Sequence, residues 1–364
     1  MDHNLRGRAA AVLLALVLLA AWLIPGAANE NRAPEQLVPL TAGTLASANF
    51  FRSADRVLVQ HLGLKQASVI AVSHALRAIG ASPSPDVVLA PDGEPYLAGE
   101  FRQPCYFDLE SLHTDEALVA IQDEFAADGT YFLYAVVPDK SSVQRAALGP
   151  NADSLMVCAD RNRSYLAELG AADSPVLTAW DEFSAAASTE RLFLFGDSHW
   201  STEGAALFTS LLIARLERDG QAPADLERLT SLVDGGPVEY PGNLYTLMGE
   251  SALQSVTQLT TEREGVSSDY SEQTLDGGYV TENWVSTSSG ASLIPGRTLI
   301  IHDSAFGYNA AILAPYFADL TAVNLKTLSA PGYLVTGHYD RVIVQQVQRS
   351  IPAFLSEIVD AAEF

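Results

Sequence analysis

Three side chains in the sequence could form a nucleophilic catalytic centre: Asp197, His199 and Ser304. Asp197 and His199 stand two positions apart, so in extended backbone both point the same way and the carboxylate can accept from one imidazole nitrogen. The other nitrogen could then serve as a base that activates the hydroxyl of Ser304. Each residue also has a structural explanation, a loop histidine held by an aspartate and a serine that caps a helix. The combination of the three favours a catalytic site over these structural roles.

Two predicted strands would bring these residues to one edge of a sheet. Residues 192–195 form a short apolar run that predicts a buried strand, and the loop 197–200 leads from it into a helix that ends near Leu216. Residues 298–302 predict a second core strand, directly before Ser304, with a helix expected over 309–320. Because α/β proteins place their chemistry at the carboxyl ends of strands, adjacent strands would bring Asp197, His199 and Ser304 within reach.

The neighbours of Ser304 are candidates for stabilising negative charge on a reacting oxygen. The backbone N–H groups of Ser304 and Ala305 would face a developing oxyanion. Tyr308 and Asn309 lie close enough in sequence to donate to the same oxygen, although Asn309 could equally cap a helix. Trp200 could stack on a sugar, but a core position beside His199 is favoured.

Lys140 follows another predicted core strand, Tyr131 to Val137. Its position at the carboxyl end of that strand allows a role in substrate binding. A turn with a solvated lysine is favoured, because Pro138 and Asp139 are typical turn residues.

The alternation of predicted strands and helices favours an α/β fold with a parallel sheet flanked by helices. We expect a signal anchor or signal peptide over residues 1–28, a linker over 29–43 and a domain over 44–364. Within that domain, residues 221–297 are rich in Gly, Ser, Thr, Asp and Pro, which predicts a loop-rich insertion with short strands at one edge of the sheet.

The amino terminus predicts export. Arg6 and Arg8 precede an apolar run of about 16 residues, near the lower limit for spanning a bilayer. An uncleaved anchor is favoured over a cleaved signal, and either would place the rest of the chain outside the cytoplasm. In such an oxidising compartment the two cysteines, Cys105 and Cys158, could form a disulfide, with two buried thiols as the alternative.

Composition excludes several classes of function. The formal net charge is −23, from 44 acidic and 21 basic residues. An acidic surface repels nucleic acid and anionic lipid, so we expect contact with the membrane through the amino-terminal segment only. The cysteines and histidines lack the spacing of a metal site, and we expect no metal.

Several motifs resemble the alginate O-acetyltransferase family of SGNH-hydrolase-like proteins. The stretch 197–205, DSHWSTEGA, is similar to that family's D-x-H-W-[ST]-x-x-G-A signature, and HDSAF at 302–306 is similar to its G-D-S-F nucleophile block. The segment VPDKS at 137–141 also matches, and 240–249 resembles G-D-L-x-x-M-L. Two positions depart from the pattern, since His302 stands where a glycine is usual and Asn243 where an acid is usual.

The resemblance implies an SGNH-hydrolase-like fold and acetyl transfer outside the cytoplasm. Ser304 would be acetylated and a polysaccharide hydroxyl, activated by His199, would then take the acetyl group. A membrane-bound O-acyltransferase partner would supply the acetyl group, with no cofactor. An acetyl esterase that uses water as acceptor and a non-catalytic scaffold that binds glycan or an assembly partner are the alternatives.

Overall fold

A computed structural model describes residues 65–106, 108–110, 112–171, 174–226, 232–250, 253–274, 280–328 and 338–351. The chain divides into two compact units, Met1–Pro83 and Ser84–Phe364. The predicted signal segment 1–28 and linker 29–43 lie outside the described residues. Within the described ranges, no helix is both long and apolar enough to cross a bilayer.

The first unit contributes one described helix, α1 (Lys65–Ala78). The helices of the second unit are α2 (Gly99–Tyr106), α3 (Thr114–Ala127), α4 (Lys140–Val143), α5 (Ala152–Ala171), α6 (Trp180–Ala186), α7 (Thr202–Arg218), α8 (Asn243–Leu247), α9 (Ala310–Leu313) and α10 (Leu325–Leu328). Its strands are β1 (Val87–Leu89), β2 (Pro95–Leu97), β3 (Tyr131–Val137), β4 (Val176–Thr178), β5 (Val233–Pro241), β6 (Leu253–Thr260), β7 (Val266–Thr274), β8 (Val280–Ser288), β9 (Ile294–His302), β10 (Phe317–Asn324) and β11 (Arg341–Val347).

Seven of these strands form the central sheet, in the order β4-β3-β11-β9-β10-β8-β7. Strands β4, β3, β11, β9 and β10 are mutually parallel. Strands β8 and β7 extend the sheet in antiparallel fashion. The sheet is therefore mixed rather than wholly parallel, and it is an α/β sheet with flanking helices.

The central strands of the sheet are buried on both faces, which explains why they are continuous apolar runs. In β3, Leu133 and Ala135 pack into the core that contains Phe208 and Leu212 of α7. The alternating residue Tyr134 packs into the opposite core, with Leu118 of α3. The parallel strands all end at the same edge, where the segments after β3, β9 and β11 begin.

The predicted strand at 192–195 is absent from the sheet. Phe193 forms only an isolated antiparallel bridge with Trp200, and the N–H of Ser201 donates to the carbonyl of Leu192 at 2.8 Å. The run is apolar because Leu192 and Phe193 are buried in the core beside Trp200. A four-residue apolar run cannot by itself distinguish a strand from a loop packed on the core.

The helix predicted over 309–320 is also wrong. Only the single turn α9 is α-helical, and β10 begins at Phe317, where the chain pairs with β9 on one side and β8 on the other. The region 221–297 has more regular structure than the expected loops and short strands. It forms the β5–β6 hairpin and both antiparallel strands that extend the sheet.

Candidate active site

Asp197, His199 and Ser304 meet in one hydrogen-bonded line at the carboxyl edge of the sheet. The Nδ1 of His199 lies 2.6 Å from Oδ1 of Asp197, and its Nε2 lies 2.9 Å from the Oγ of Ser304. Exposure increases along the line, from 2% for the Asp197 side chain and 14% for the His199 side chain to an exposed Ser304. A carboxylate that accepts from Nδ1–H fixes the tautomer in which Nε2 can take a proton from Ser304.

The Asp197 carboxylate is held by backbone donors as well as by the imidazole. Its Oδ1 accepts from the N–H of His199 at 2.9 Å, and its Oδ2 accepts from the N–H of Asn243 at 2.9 Å. Burial raises the pKa of the Asp197 carboxyl, but the hydrogen bonds from His199 and Asn243 outweigh burial and hold that pKa below its ordinary value. Asp197 is therefore ionised throughout the physiological range.

Asn243 connects α8 to the Asp197 loop and is a functional candidate that residue type alone does not identify. Its side-chain oxygen accepts from the N–H of Ser198 at 2.9 Å, and its amide donates to the Oγ of Ser198 at 2.7 Å. The only sequence signal is its place in the 240–249 motif, where an acid is usual. A carboxylate could not donate to Ser198, so the asparagine changes how this loop is held.

Two glycines allow the backbone before Asp197 to lie against the backbone before Asn243. A Cβ on Gly196 would lie 2.4 Å from the Tyr245 ring, and one on Gly242 would lie 2.2 Å from the carbonyl oxygen of Gly196. That carbonyl in turn accepts from the N–H of Leu244 at 3.1 Å. The backbones before Asp197 and Asn243 can pack together only because both positions lack a side chain.

Lys140 lies beneath the Asp197 loop and is fully buried, so the solvated position favoured for it is wrong. Its Nζ donates to the carbonyls of Leu194 at 2.9 Å, Phe195 at 2.7 Å and Asp197 at 3.3 Å. The ammonium pairs with Glu94 at 3.1 Å. Burial lowers the pKa of Lys140, and the adjacent Glu94 carboxylate opposes that shift. Lys140 therefore positions the loop that carries Asp197.

The turn that carries Ser304 is held by Asp303. One carboxylate oxygen of Asp303 accepts from the N–H of Ala305 at 2.9 Å, and the other accepts from the N–H of Val347 at 2.8 Å. The carboxylate thus joins the residue after Ser304 to the end of the neighbouring strand β11. The sequence places Asp303 inside the nucleophile motif, but its role depends on a strand more than 40 residues away and was not predicted.

Two expected oxyanion donors are engaged elsewhere. The N–H of Ala305 is already bonded to Asp303. Asn309 is fully buried and makes no capping bond; its side chain accepts from Thr209 at 2.6 Å and donates to Gln345 at 3.1 Å. The backbone N–H of Ser304, in contrast, makes no hydrogen bond to another described residue. The Tyr308 side chain lies outside the described part of the structure.

Trp200 and His302 are structural supports of the site. The indole N–H of Trp200, 1% exposed, donates to the carbonyl of Ala305 at 3.0 Å, which connects the His199 loop to the Ser304 turn. His302 ends β9, and its ring stacks on Phe306 with centroids 4.4 Å apart. Burial lowers the pKa of His302, so its imidazole is neutral, and its Nδ1 donates to the carbonyl of Asp303 at 2.7 Å.

Cys105 and Cys158 are joined by a disulfide that connects α2 to α5. Neither cysteine is therefore available as a nucleophile or a metal ligand. In the described ranges, no group of three or more His, Cys, Asp or Glu side chains is arranged to hold a metal ion.

Comparison with known proteins gives one family match. The model of the SGNH hydrolase-like domain of the acetyltransferase AlgX matches residues 87–278, more than half of the chain. No curated protein sequence matches.

Several solved structures are similar, all at low identity. The O-acetyltransferase domain of Pseudomonas putida AlgJ is 16% identical with a TM-score of 0.49, over 76% of this chain and 99% of that one. Pseudomonas aeruginosa AlgX is 14% identical with a TM-score of 0.45, over 72% of this chain and 61% of that one. Bacillus cereus PatB1 with a sulfonyl adduct is 11% identical with a TM-score of 0.49, over 73% and 97%.

Proposed function

We propose that this chain, which belongs to the AlgX family of SGNH hydrolase-like acetyltransferase domains, moves acetyl groups through Ser304 onto hydroxyls of an exported or surface polysaccharide. The observation that carries the proposal is the continuous line from Asp197 through His199 to the exposed Ser304, with contacts of 2.6 and 2.9 Å. An ionised carboxylate, an imidazole and a hydroxyl in this order are the components of a nucleophilic triad.

The first half-reaction would acetylate Ser304. As Oγ attacks the acetyl carbonyl carbon, its proton passes to Nε2 of His199, and Asp197 stabilises the resulting imidazolium. The backbone N–H of Ser304 would donate to the oxyanion. When the tetrahedral intermediate collapses, the donor alcohol leaves with the proton from His199, and acetyl-Ser304 remains.

The second half-reaction would transfer the acetyl group. A sugar hydroxyl approaches the exposed Ser304 and gives its proton to His199 as its oxygen attacks the acetyl carbon. Collapse of this intermediate returns the proton to Oγ and releases the O-acetylated sugar. No metal or cofactor enters either half-reaction.

The cellular setting is part of the proposal. We place the domain outside the cytoplasm, and the Cys105–Cys158 disulfide supports an oxidising compartment. The segment 1–28 would direct export and hold the protein at the membrane. Acetyl groups would then come from a membrane-bound O-acyltransferase partner.

An acetyl esterase is the second candidate, because the exposure of Ser304 also lets water reach the acetyl intermediate. A small activated acetyl ester, such as p-nitrophenyl acetate, tests both functions in the full chain. We expect alcohol release that falls at least about a hundredfold in Ser304→Ala. The matched control is Ser184→Ala, at an exposed position on α6, which should leave the rate unchanged. Equal rates in Ser304→Ala and the wild type would remove Ser304 from the mechanism, whereas no release of alcohol by the wild type would favour the scaffold.

A further inference from the structure

A cavity of about 640 Å³ is lined by residues of the segments that follow His199 and Ser304 in the chain. One wall contains Thr202, which begins the helix that follows His199 in the chain. Another wall contains Gly307 and Ala311, which belong to the turns that follow Ser304. The β5–β6 hairpin, a separate two-stranded sheet that follows α7 in the chain, supplies the opposite wall through Val238 and Val256. Both Gly307 and Ala311 are exposed, so the cavity can be entered from solvent.

The lining combines aliphatic surface with hydroxyl groups. Leu194, Val238 and Val256 provide apolar contacts, and Thr202 and Thr257 provide hydroxyls. A sugar ring presents the complementary surface, with C–H faces between hydroxyl donors and acceptors. The volume lies within the range of about 300–1,000 Å³ that is usual for small-molecule sites.

The charges around the cavity favour a sugar without carboxylates. Of the described residues that line it, Glu190, Arg191 and Glu203 are charged, which gives a net charge of −1. The one cation is already paired, since Nη1 of Arg191 lies 3.0 Å from the Glu94 carboxylate. The chain as a whole carries a formal charge of −23. A polyuronate, with one negative charge on every residue, would meet repulsion from the protein and no unpaired cation in the cavity.

We propose that this cavity is the acceptor site and that it takes an uncharged glycan, not a polyuronate of the alginate type. The inference rests on the proposed function and specifies its substrate class. Glu190 and Glu203 would accept hydrogen bonds from sugar hydroxyls, and they would reject an acceptor that carries carboxylates. The acceptor hydroxyl would enter between Thr202 and Gly307, the sides of the cavity that continue from His199 and Ser304.

Acceptor competition in the full chain tests the substrate class. The donor is p-nitrophenyl acetate, and the acceptors are a neutral glucose tetrasaccharide and a mannuronate tetrasaccharide at low salt, with acetylated products counted by mass spectrometry. We expect at least about fivefold more transfer to the neutral acceptor, the effect of roughly one close like-charge contact in water. Glu190→Gln and Glu203→Gln should raise transfer to the uronate, and Glu124→Gln, an exposed acid on α3, should not. Equal or preferred transfer to the mannuronate tetrasaccharide would overturn the inference.

A blocking variant tests the site itself. Ala311→Trp should fill the cavity and lower the ratio of acetyl transfer to ester hydrolysis, both measured in the same variant. Ala126→Trp, at an exposed position on α3, is the matched control and should alter neither reaction. An undiminished ratio in Ala311→Trp, or ester hydrolysis without transfer to any sugar in the wild type, would overturn the acceptor site but leave Ser304 as nucleophile. If the wild type did not hydrolyse the ester at all, that result would instead contradict the proposed function.

Discussion

Replacing Asp197 with asparagine tests the centre of the proposed triad. Two N–H donors, both from His199, converge on Oδ1, and a third, from Asn243, points at Oδ2. An amide has only one oxygen, so one of these positions must receive an NH₂ group. If NH₂ occupies the Oδ1 position, it donates to Nδ1 of His199 and forces the proton onto Nε2. In that tautomer the imidazole cannot accept a proton from Ser304.

If NH₂ instead occupies the Oδ2 position, it faces the N–H of Asn243, and one buried donor is left without an acceptor. That arrangement costs about 1–3 kcal/mol of stability. In both orientations the negative charge that stabilises the imidazolium is lost. We therefore expect a fall in the acetylation rate of about a thousandfold to ten-thousandfold. This corresponds to about 4–5.5 kcal/mol in the activation free energy.

The assay is single-turnover acetylation in folded protein, with chemical denaturation measured in parallel. Asp123→Asn, at an exposed position on α3, is the matched control and should match the wild type in both measurements. If folded Asp197→Asn kept more than about a tenth of the wild-type rate, the carboxylate would have no part in the chemistry, because an essential triad acid contributes orders of magnitude.

The same variant has a signature in the pH dependence of stability. The folded-state pKa of Asp197 lies below its ordinary value, so its ionised form stabilises the fold above the unfolded pKa of about 3.9. That contribution is lost as the pH falls through the lower folded-state pKa. The difference in unfolding free energy between wild type and Asp197→Asn should therefore be constant above about pH 5 and shrink below pH 4. A difference that does not change with pH would contradict the lowered pKa of Asp197.

Three further changes have distinct expected outcomes. Lys140→Met leaves the buried Glu94 carboxylate with one cation fewer and removes a donor from the carbonyls of the Asp197 loop, so the free energy of unfolding should fall by about 3 kcal/mol; an unchanged denaturation midpoint would contradict the loop-holding role. Asp303→Asn should lower the acetylation rate of Ser304 about 10- to 100-fold with little loss of fold, because positioning errors near an ångström cost that much, and an unaltered rate would show that the turn holds without Asp303. Replacing Cys105 and Cys158 with serine opens a link between positions 53 residues apart and should lower stability by about 4 kcal/mol on the chain-entropy account; two alkylatable thiols in the wild type would show that no disulfide forms.

The sequence predicted the centre of the fold better than its edge. Strands β3, β9 and β11 are buried on both faces, so each is an apolar run that stands out from its surroundings. Strands β7 and β8 were not predicted as part of the sheet, because β7 lies at the exposed edge and is mostly polar. Its strand conformation depends on pairing with β8, and long-range pairing leaves little trace in local composition.

The site followed a similar division. Asp197, His199 and Ser304 were proposed from residue type, and the structure brings them together, but the premise that two strands end beside each other was wrong, since the 192–195 segment is a loop. That loop is held at the sheet edge by two side chains that bind its backbone. Lys140 donates to the carbonyl of Phe195, and Asn243 accepts from the N–H of Ser198. Such contacts join residues about 45 to 55 positions apart, so spacing along the chain could not reveal them.

The most direct measurement is the mass of the Ser304 peptide after rapid mixing with p-nitrophenyl acetate and acid quenching within the first turnover. We expect a single acetyl group on Ser304 in the wild type, its loss when a sugar acceptor is added, and none in His199→Ala, whose fold is checked by thermal unfolding. An acetyl group on a different residue, or Ser304 unmodified while ester turnover continues, would contradict the nucleophilic role of Ser304.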